Sequence, residues 1–249
     1  MVLGIDAGST HYKLVWLREG EVADRRLLPT EPGMEEKVRN ALQDGPETSL
    51  VVATGYGRHA LVKVGVAMRA VTEIKAQAVG VSRVLPGVAT VLDLGGQDFK
   101  VIRVNHGRVV GFEMNDRCAA GTGRFLEMAA RRLSISLEDM DRLAGTCSEG
   151  ARLSSMCAVF AESELVSLMA KGVSVERMAR GVLDSIAQRL VATVRRMNGL
   201  PPIAFTGGGA LMGTLVNILS KQIGSEVAVP PEPLFTAALG AALCGEGEA

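Results

Sequence analysis

The spacing of apolar and polar residues along the chain predicts an α/β protein. Short apolar runs that end at aspartate, glycine or threonine predict strands, and longer segments with apolar residues three and four positions apart predict helices. The predicted helices are 34–42, 73–85, 122–133, 137–144, 158–171, 175–198 and 234–243, with another ending near residue 223, and apolar strands are predicted at 50–53 and 203–206. Beyond residue 120 the chain is therefore mainly helical.

Two segments of the chain carry the same pattern without a gap. In each, an apolar strand ends at an aspartate, a turn with glycine follows, and a second strand leads through another glycine turn into a third strand. The matched pairs are Asp6 and Asp93, Gly8 and Gly95, Lys13 and Lys100, and Gly20 and Gly107, at a constant offset of 87 residues. The repeat predicts one β-hairpin unit used twice, and hence two similar α/β halves that face each other.

Composition narrows the class of protein. With 249 residues, of which 47% are hydrophobic, the chain is long enough to bury a sizeable core. Its 27 basic and 27 acidic residues balance, so nucleic acid and anionic membranes are not expected as main partners. The sequence has no apolar run of roughly 18 residues and no secretory pattern at its start. We therefore expect a cytoplasmic protein that binds neither nucleic acid nor membrane.

The two repeated aspartate turns are candidates for binding a nucleotide's phosphates. A carboxylate at a strand end can reach a hydrated Mg²⁺, while bare backbone N–H groups approach phosphate oxygens. Asp6 with Gly8-Ser9-Thr10 and Asp93 with Gly95-Gly96 would clamp a polyphosphate from opposite sides. Lys13 would offset phosphate charge, whereas Lys100, at the equivalent place, is interpreted as a solvated side chain.

A glycine triplet after the strand at 203–206 is a candidate for the base end of the same ligand. The glycines 207–209 open a predicted helix, where unobstructed backbone can pack beside a purine and ribose. The chain contains neither the Walker pattern GxxxxGKS/T nor the pattern GxGxxG. The sequence therefore disfavours Walker-type and Rossmann-type nucleotide binding.

The cysteines suggest a metal or cluster site. Cys118 and Cys157 each lie just before a predicted helix, where the helix dipole favours a thiolate or an anionic cluster. An iron–sulfur cluster usually takes four thiolates, so a two-fold dimer with both cysteines near its axis would supply two plus two. A single-chain site that also uses Cys147 and Cys244, or a structural Zn²⁺, stays open on spacing alone.

The segments around Asp6, Asp93 and the glycine triplet resemble the phosphate-1, phosphate-2 and adenosine motifs of the ASKHA superfamily (actin, Hsp70 and sugar kinases). The resemblance implies a duplicated, ribonuclease H-like fold of two lobes, with residues 1–86 and 234–249 in the first and 87–233 in the second. It places Glu73 on the first connecting helix, where an acidic residue orients the attacking water, and leaves Asp93 as the second catalytic candidate. Residues 233–240 resemble the second connecting helix, whose small residues let two helices cross closely. The nucleotide-binding residues expected are Asp6, Gly8, Ser9, Thr10, Lys13, Gly95, Gly96, Gln97, Gly207, Gly208 and Gly209.

A more specific resemblance covers almost the whole chain, from Gly4 to Leu243. The chain is similar to the activators of 2-hydroxyacyl-CoA dehydratases and to the related ATPase subunits of benzoyl-CoA reductases. The segments that carry the similarity most strongly are 53–58, 93–98, 114–126, 159–164 and the glycine triplet. The chain departs from the family pattern at 210–213, where Ala-Leu-Met-Gly replaces small and polar residues.

This resemblance implies an ATPase coupled to low-potential electron transfer. Cys118 and Cys157 from two subunits would hold one 4Fe–4S cluster per homodimer, each subunit would bind ATP or ADP with Mg²⁺, and ferredoxin or flavodoxin would supply electrons. The acceptor would be an iron–sulfur dehydratase or reductase component.

Two other functions remain compatible with the residues. One is a sugar-kinase-like phosphotransferase without a redox cluster, with Asp93 as the base for a sugar hydroxyl. The other is a nucleotide-dependent interaction module with a structural metal, in which no electron moves.

Overall fold

The described part of the chain contains two mixed β-sheets of five strands each, together with their helices. The computed structural model describes residues 1–115, 118–153 and 157–247. The strands are β1 Val2–Ala7, β2 His11–Arg18, β3 Glu21–Pro29, β4 Leu50–Thr54, β5 Arg69–Ala70, β6 Thr90–Leu94, β7 Phe99–Asn105, β8 Arg108–Asn115, β9 Ile203–Gly207 and β10 Val227–Ala228. The helices are α1 Met34–Gln43, α2 Arg58–Lys63, α3 Glu73–Val84, α4 Gly123–Leu133, α5 Leu137–Gly145, α6 Ala158–Ala170, α7 Val175–Arg196, α8 Gly213–Ile223 and α9 Thr236–Glu246.

The first sheet has the order β3-β2-β1-β4-β5, with β1 antiparallel to β2 and parallel to β4. Both faces of its central strands are covered, because successive side chains of a strand point to opposite faces. On β2, Leu14 and Trp16 pack in a cluster with residues of α1, whereas Val15 and Leu17 pack in a cluster with α3 and α9. This two-sided burial explains why the strands read as continuous apolar runs rather than as alternating ones.

The second sheet has the order β10-β9-β6-β7-β8 and repeats the plan of the first. Its central strand β6 is antiparallel to β7 and parallel to β9, as β1 is to β2 and β4. A large apolar cluster joins this sheet to α4, α5, α6, α7 and α8. The α/β class and the twice-used hairpin predicted from the sequence are confirmed.

The chain divides into two units. The first unit is Met1–Val88, Val104–Val110 and Pro230–Ala249, and the second unit is Ala89–Arg103 and Gly111–Val229. Within the first unit, α3 and α9 cross so closely that a Cβ on Gly80 would lie 1.9 Å from the Thr236 carbonyl oxygen, and one on Gly240 1.8 Å from the Ala76 carbonyl oxygen. The small residues at 233–240 therefore serve a close helix crossing.

Short elements were not predicted from the sequence. The helix α2 and the strands β5 and β10 are each too short to show a period. The glycine triplet also leads into a 3₁₀ turn, Gly208–Leu211, and α8 begins only at Gly213, because Met212 has an extended backbone. None of the helices in the described ranges is both long and apolar enough to cross a membrane.

Candidate functional site

The first aspartate turn joins β1 to β2. Asp6 is opposite Lys13 in the antiparallel pair, and the Lys13 ammonium lies 2.9 Å from Asp6 Oδ2. Gly8 follows in the turn, where a Cβ would lie 2.7 Å from the His11 carbonyl oxygen and 2.9 Å from the Lys13 Nζ. Ser9 is half-buried and Thr10 is exposed. The structure thus brings Asp6, Gly8 and Lys13 together, with Lys13 paired to the carboxylate.

Asp6 also carries a buried oxygen atom, Oδ1. Among the residues that the structure describes, Asp6 Oδ1 is buried and has no hydrogen-bond partner. Tyr12, on the next strand, has a phenol whose pKa is raised above its ordinary value by burial, then by the negative charges of Glu35 and Asp6. Tyr12 therefore stays protonated at neutral pH.

The second aspartate turn joins β6 to β7 and is more deeply buried. Asp93 is opposite Lys100, whose Nζ lies 3.4 Å from Asp93 Oδ2 and 2.9 Å from Asp98 Oδ2. The Lys100 side chain is only 2% exposed, so the interpretation of Lys100 as a solvated side chain is wrong. The reason is Asp98, because two carboxylates hold the ammonium away from water and replace its hydration.

The glycines of the second turn accept backbone hydrogen bonds from the helix that follows Cys118. The backbone N–H of Gly123 donates to the Gly95 carbonyl at 2.9 Å, and that of Arg124 donates to the Gly96 carbonyl at 2.9 Å. A Cβ on Gly123 would lie 3.0 Å from the Gly95 oxygen. Gln97 is half-buried in the same turn. The turn and the first residues of α4 therefore form one hydrogen-bonded piece.

The glycine triplet has two packed members and one open member. Gly207 has a φ of +77° and lies so close to β6 that a Cβ would be 2.4 Å from the Leu94 carbonyl oxygen. A Cβ on Gly209 would meet the Leu94 side chain at 2.3 Å, whereas one on Gly208 would have no described atom within 4 Å. Gly207 and Gly209 are thus required by packing, and Gly208 leaves an exposed backbone surface.

Two side chains close to the segment that follows the triplet, Asp141 and Leu211, indicate what the triplet can bind. The Asp141 carboxylate accepts from the Thr214 backbone N–H at 3.0 Å and so caps α8. Because that carboxylate already occupies the start of α8, the helix end is not a phosphate site. Leu211 is 63% exposed beside the turn. An exposed apolar side chain and bare backbone fit a flat base better than a phosphate.

A second Thr-Gly-x-Gly turn was not predicted as part of the site. Thr54-Gly55-Tyr56-Gly57 follows β4 as Thr206-Gly207-Gly208-Gly209 follows β9, and Thr54 is level with Asp6 as Thr206 is with Asp93. Gly55 has a φ of +80°, close to the +77° of Gly207. The repeated letters Thr-Gly-x-Gly were the signal that could have found it.

Glu73 is the first residue of α3, in the first unit. Thr72 caps this helix, with its hydroxyl accepting from the Lys75 backbone N–H at 3.3 Å. Glu73 is half-buried. A carboxylate at this end of a helix is stabilised by the helix dipole.

The two candidate cluster cysteines both belong to the second unit. Cys118 is exposed, and the Asn115 side-chain amide donates to its carbonyl at 3.0 Å. Cys157 is half-buried and is the N-cap residue of α6, which packs against α4. Residues 116–117 and 154–156, which precede the two cysteines, lie outside the described residues.

The other two cysteines are in different settings. The Cys147 thiol donates to the Glu176 carbonyl at 3.4 Å, and Cys244 lies on α9 in the first unit. In the part of the chain that the structure describes, no three His, Cys, Asp or Glu residues come together as a metal group. A four-cysteine site within one chain therefore gains no support from the structure.

Comparison with known proteins gives a consistent result over the full chain. The sequence profile of the BadF/BadG/BcrA/BcrD ATPase family matches residues 3–245. The chain is 36% identical over 249 residues to the (R)-2-hydroxyglutaryl-CoA dehydratase activating ATPase of Acidaminococcus fermentans, covering 97% of this chain and 95% of that protein.

Solved structures that superpose on this chain are consistent with the family match. The activator of the 2-hydroxyisocaproyl-CoA dehydratase from Clostridium difficile, with bound ADPNP, superposes with a TM-score of 0.91 at 32% identity, over 99% of this chain and 94% of that one. A ROK family glucokinase from Streptomyces griseus superposes with a TM-score of 0.63 at 15% identity, over 98% of both chains. The glucokinase shares the fold alone, and the predicted ASKHA class is confirmed.

Proposed function

The chain belongs to the BadF/BadG/BcrA/BcrD ATPase family, and from this premise we propose that it is an ATP-dependent one-electron donor to a partner acyl-CoA dehydratase or reductase. A relative at 36% identity is itself a dehydratase-activating ATPase, which supports the proposal. Family membership also favours this function over a sugar-kinase-like phosphotransferase, because the glucokinase likeness extends to the fold only.

We propose that residues 1–86 with 234–249 and residues 87–233 are the two lobes, and that each lobe carries candidate nucleotide-binding residues. The first unit supplies Asp6, the Gly8-Ser9-Thr10 turn and Lys13, and Glu73 orients the attacking water. The second unit supplies Asp93 as the other catalytic carboxylate, Gly95-Gly96-Gln97 for phosphate, and the triplet 207–209 for adenosine. An activator structure with bound ADPNP supports nucleotide binding by this fold.

The residues present fit a magnesium ion. Among the described residues, Asp6 Oδ1 is a buried carboxylate oxygen with no hydrogen-bond partner, and carboxylate oxygens are preferred Mg²⁺ ligands, directly or through water. When bound, Mg²⁺ neutralises charge on the β- and γ-phosphates. The chain's own contribution is the orientation of Asp6 by Lys13.

The residues also fit half of an iron–sulfur site. Cys118 and Cys157 offer two thiols on the second unit, so two chains supply the four that a 4Fe–4S cluster takes. Beside Cys157, Val159 and Phe160 are 69% and 67% exposed, which is apolar surface that a second subunit would cover. We therefore place the cluster between two copies of the chain, one per homodimer. A cluster held there would supply a single electron, and we expect a ferredoxin or flavodoxin in the cytoplasm to replace that electron.

The observation that carries the coupling is the pair of hydrogen bonds from α4 to the Gly95-Gly96 turn. If the turn contacts the nucleotide's phosphates, its backbone changes position when ATP becomes ADP and phosphate. The bonds from Gly123 and Arg124 then move the start of α4, and with it the segment that holds Cys118. Hydrolysis would thereby change the surroundings of Cys118, and so of the cluster from which the acceptor receives its electron.

Iron content and ATP hydrolysis test this function together. Protein purified without oxygen should contain about four irons per dimer and should hydrolyse ATP. Cys118→Ala should lose the iron and still bind nucleotide, while Cys147→Ala, a matched control in the same unit, should keep the iron. A full complement of iron in Cys118→Ala would refute the ligand assignment.

A further inference from the structure

The two units repeat one arrangement but differ in how its threonine is hydrogen-bonded. They differ as well at Asp98, the carboxylate beside Lys100, because the matching position in the first unit is His11. In the second unit, Thr206 lies beside Asp93 on the neighbouring parallel strand, and its hydroxyl is within donating distance of two acceptors, Asp93 Oδ1 at 2.9 Å and the Leu92 carbonyl oxygen at 3.1 Å. Lys100 holds the other carboxylate oxygen at 3.4 Å. Lysine on one oxygen and threonine on the other therefore fix the plane of the Asp93 carboxylate.

The first unit has the same residue types, but in the described ranges its threonine hydroxyl is not hydrogen-bonded to its aspartate. Thr54 lies beside Asp6 on β4 and is fully buried, and Lys13 holds Asp6 Oδ2. Within the described ranges, neither the Thr54 hydroxyl nor Asp6 Oδ1 has a hydrogen-bond partner. The great majority of buried polar groups in proteins are hydrogen-bonded, so an unpaired one calls for an explanation such as a functional role.

The turn after Thr54 brings the Gly55 backbone close to the Asp6 carboxylate. Gly55 has a φ of +80°, and a Cβ there would lie 2.5 Å from Asp6 Oδ1 and 2.8 Å from the Ala7 carbonyl oxygen. Gly207 is held in the same way, with a Cβ position 2.9 Å from Asp93 Oδ1. The Thr-Gly backbone is thus built against the aspartate in both units, whereas the contact made by the threonine hydroxyl differs.

We propose that Thr54 is a positioning residue for the Asp6 carboxylate, and that its hydroxyl donates to Asp6 Oδ1 when a metal–nucleotide complex binds. This inference rests on the proposed function. A carboxylate offers about four lone-pair sites, so Lys13 and Thr54 would occupy one on each oxygen and leave the others for the water ligands of Mg²⁺. Binding would bring Asp6 and Thr54 into the arrangement that Asp93 and Thr206 already have.

The first test measures metal binding without turnover. Mn²⁺, with ADP present, is titrated into the purified dimer and followed by electron paramagnetic resonance, and ADP affinity is measured separately without metal. Thr54→Val should weaken Mn²⁺ binding about tenfold, the value of one hydrogen bond to a charged group, and leave metal-free ADP affinity unchanged. Thr54→Ser, which keeps the hydroxyl, should restore the wild-type affinity.

The second test separates a positioning role from a structural one. Because Thr54 makes no hydrogen bond to a described residue, Thr54→Val should not lower the melting temperature of the nucleotide-free protein. Thr206→Val, the matched control, removes an existing bond and should lower it.

Three results would overturn the proposal. They are an unchanged Mn²⁺ affinity in Thr54→Val, a Thr54→Ser variant as weak as Thr54→Val, or a loss of melting temperature in Thr54→Val equal to that in Thr206→Val. A wild-type protein that binds no ADP would refute the proposed function itself, which distinguishes the two failures.

Discussion

Replacing Lys100 by methionine should destabilise the protein more than the same change at Lys13. Methionine keeps most of the length of the lysine side chain and removes only the ammonium group. At Lys100 this leaves two carboxylates, Asp93 and Asp98, buried without the cation that lies 3.4 and 2.9 Å from them. At Lys13 it leaves only Asp6, and Lys13 is 18% exposed.

The magnitudes follow from burial. Removing one partner of a buried ion pair costs about 3–5 kcal/mol, because the remaining charge stays out of water without compensation. The Lys13–Asp6 pair is partly solvated, so its loss should cost about 1.5–3 kcal/mol, the value of a hydrogen bond between charged groups. With a urea m-value of about 3 kcal/mol/M, Lys100→Met should lower the unfolding midpoint by about 1–1.7 M.

Urea unfolding followed by circular dichroism measures both variants against the wild type. A double variant of Lys100→Met with Asp98→Asn should recover part of the loss, because one of the two carboxylates that lose the Lys100 ammonium is then neutral. If Lys100→Met loses no more stability than Lys13→Met, then Lys100 is not a buried partner of both carboxylates, and our correction of its role would be refuted.

Three further predictions concern the framework of the site. Gly240→Ala should lower stability by about 1–3 kcal/mol, since its Cβ would lie 1.8 Å from the Ala76 carbonyl oxygen. Gly208→Ala should be nearly neutral, because the structure describes no atom within 4 Å of the added Cβ. Equal melting temperatures for the two variants would contradict the close helix crossing. Asp141→Ala should cost about 0.5–2 kcal/mol in urea unfolding, because α8 loses its cap. The pKa of Tyr12 is raised in the folded state by burial and then by Glu35 and Asp6, so stability is lost as the pH rises from the ordinary tyrosine pKa through the raised one. Tyr12→Phe should therefore reduce the loss of stability at alkaline pH. An unchanged loss would contradict the burial of this phenol.

The features that could be predicted from the sequence are local ones. The repeated Asp, Gly and Lys positions lie within about fifteen residues of chain, so the hairpins β1-β2 and β6-β7 follow from pattern alone. Their constant offset then predicts the duplication. The long amphipathic helix α7 was predicted to within two residues of its end, for the same reason.

The features that were missed depend on contacts between distant parts of the chain. Thr206 reaches Asp93 across 113 residues, because a parallel strand is brought alongside β6 only by the helices between them. The burial of Lys100 depends on a second carboxylate, Asp98, whose side chain could not be placed from its position in the sequence. Likewise, Asp141 caps α8 from another helix, 73 residues earlier.

Under the proposed function, the state of the nucleotide changes the surroundings of a cluster held by Cys118 and Cys157 of two chains. The most direct measurement is the electron paramagnetic resonance spectrum of the reduced dimer, recorded with Mg²⁺ and ADP and again with Mg²⁺ and a non-hydrolysable ATP analogue. We predict different cluster spectra in the two states, because the Gly95-Gly96 turn is bonded directly to the helix that follows Cys118. Identical cluster spectra, in protein shown to bind both nucleotides, would contradict the coupling, and a spectrum without any cluster signal would contradict the cluster itself.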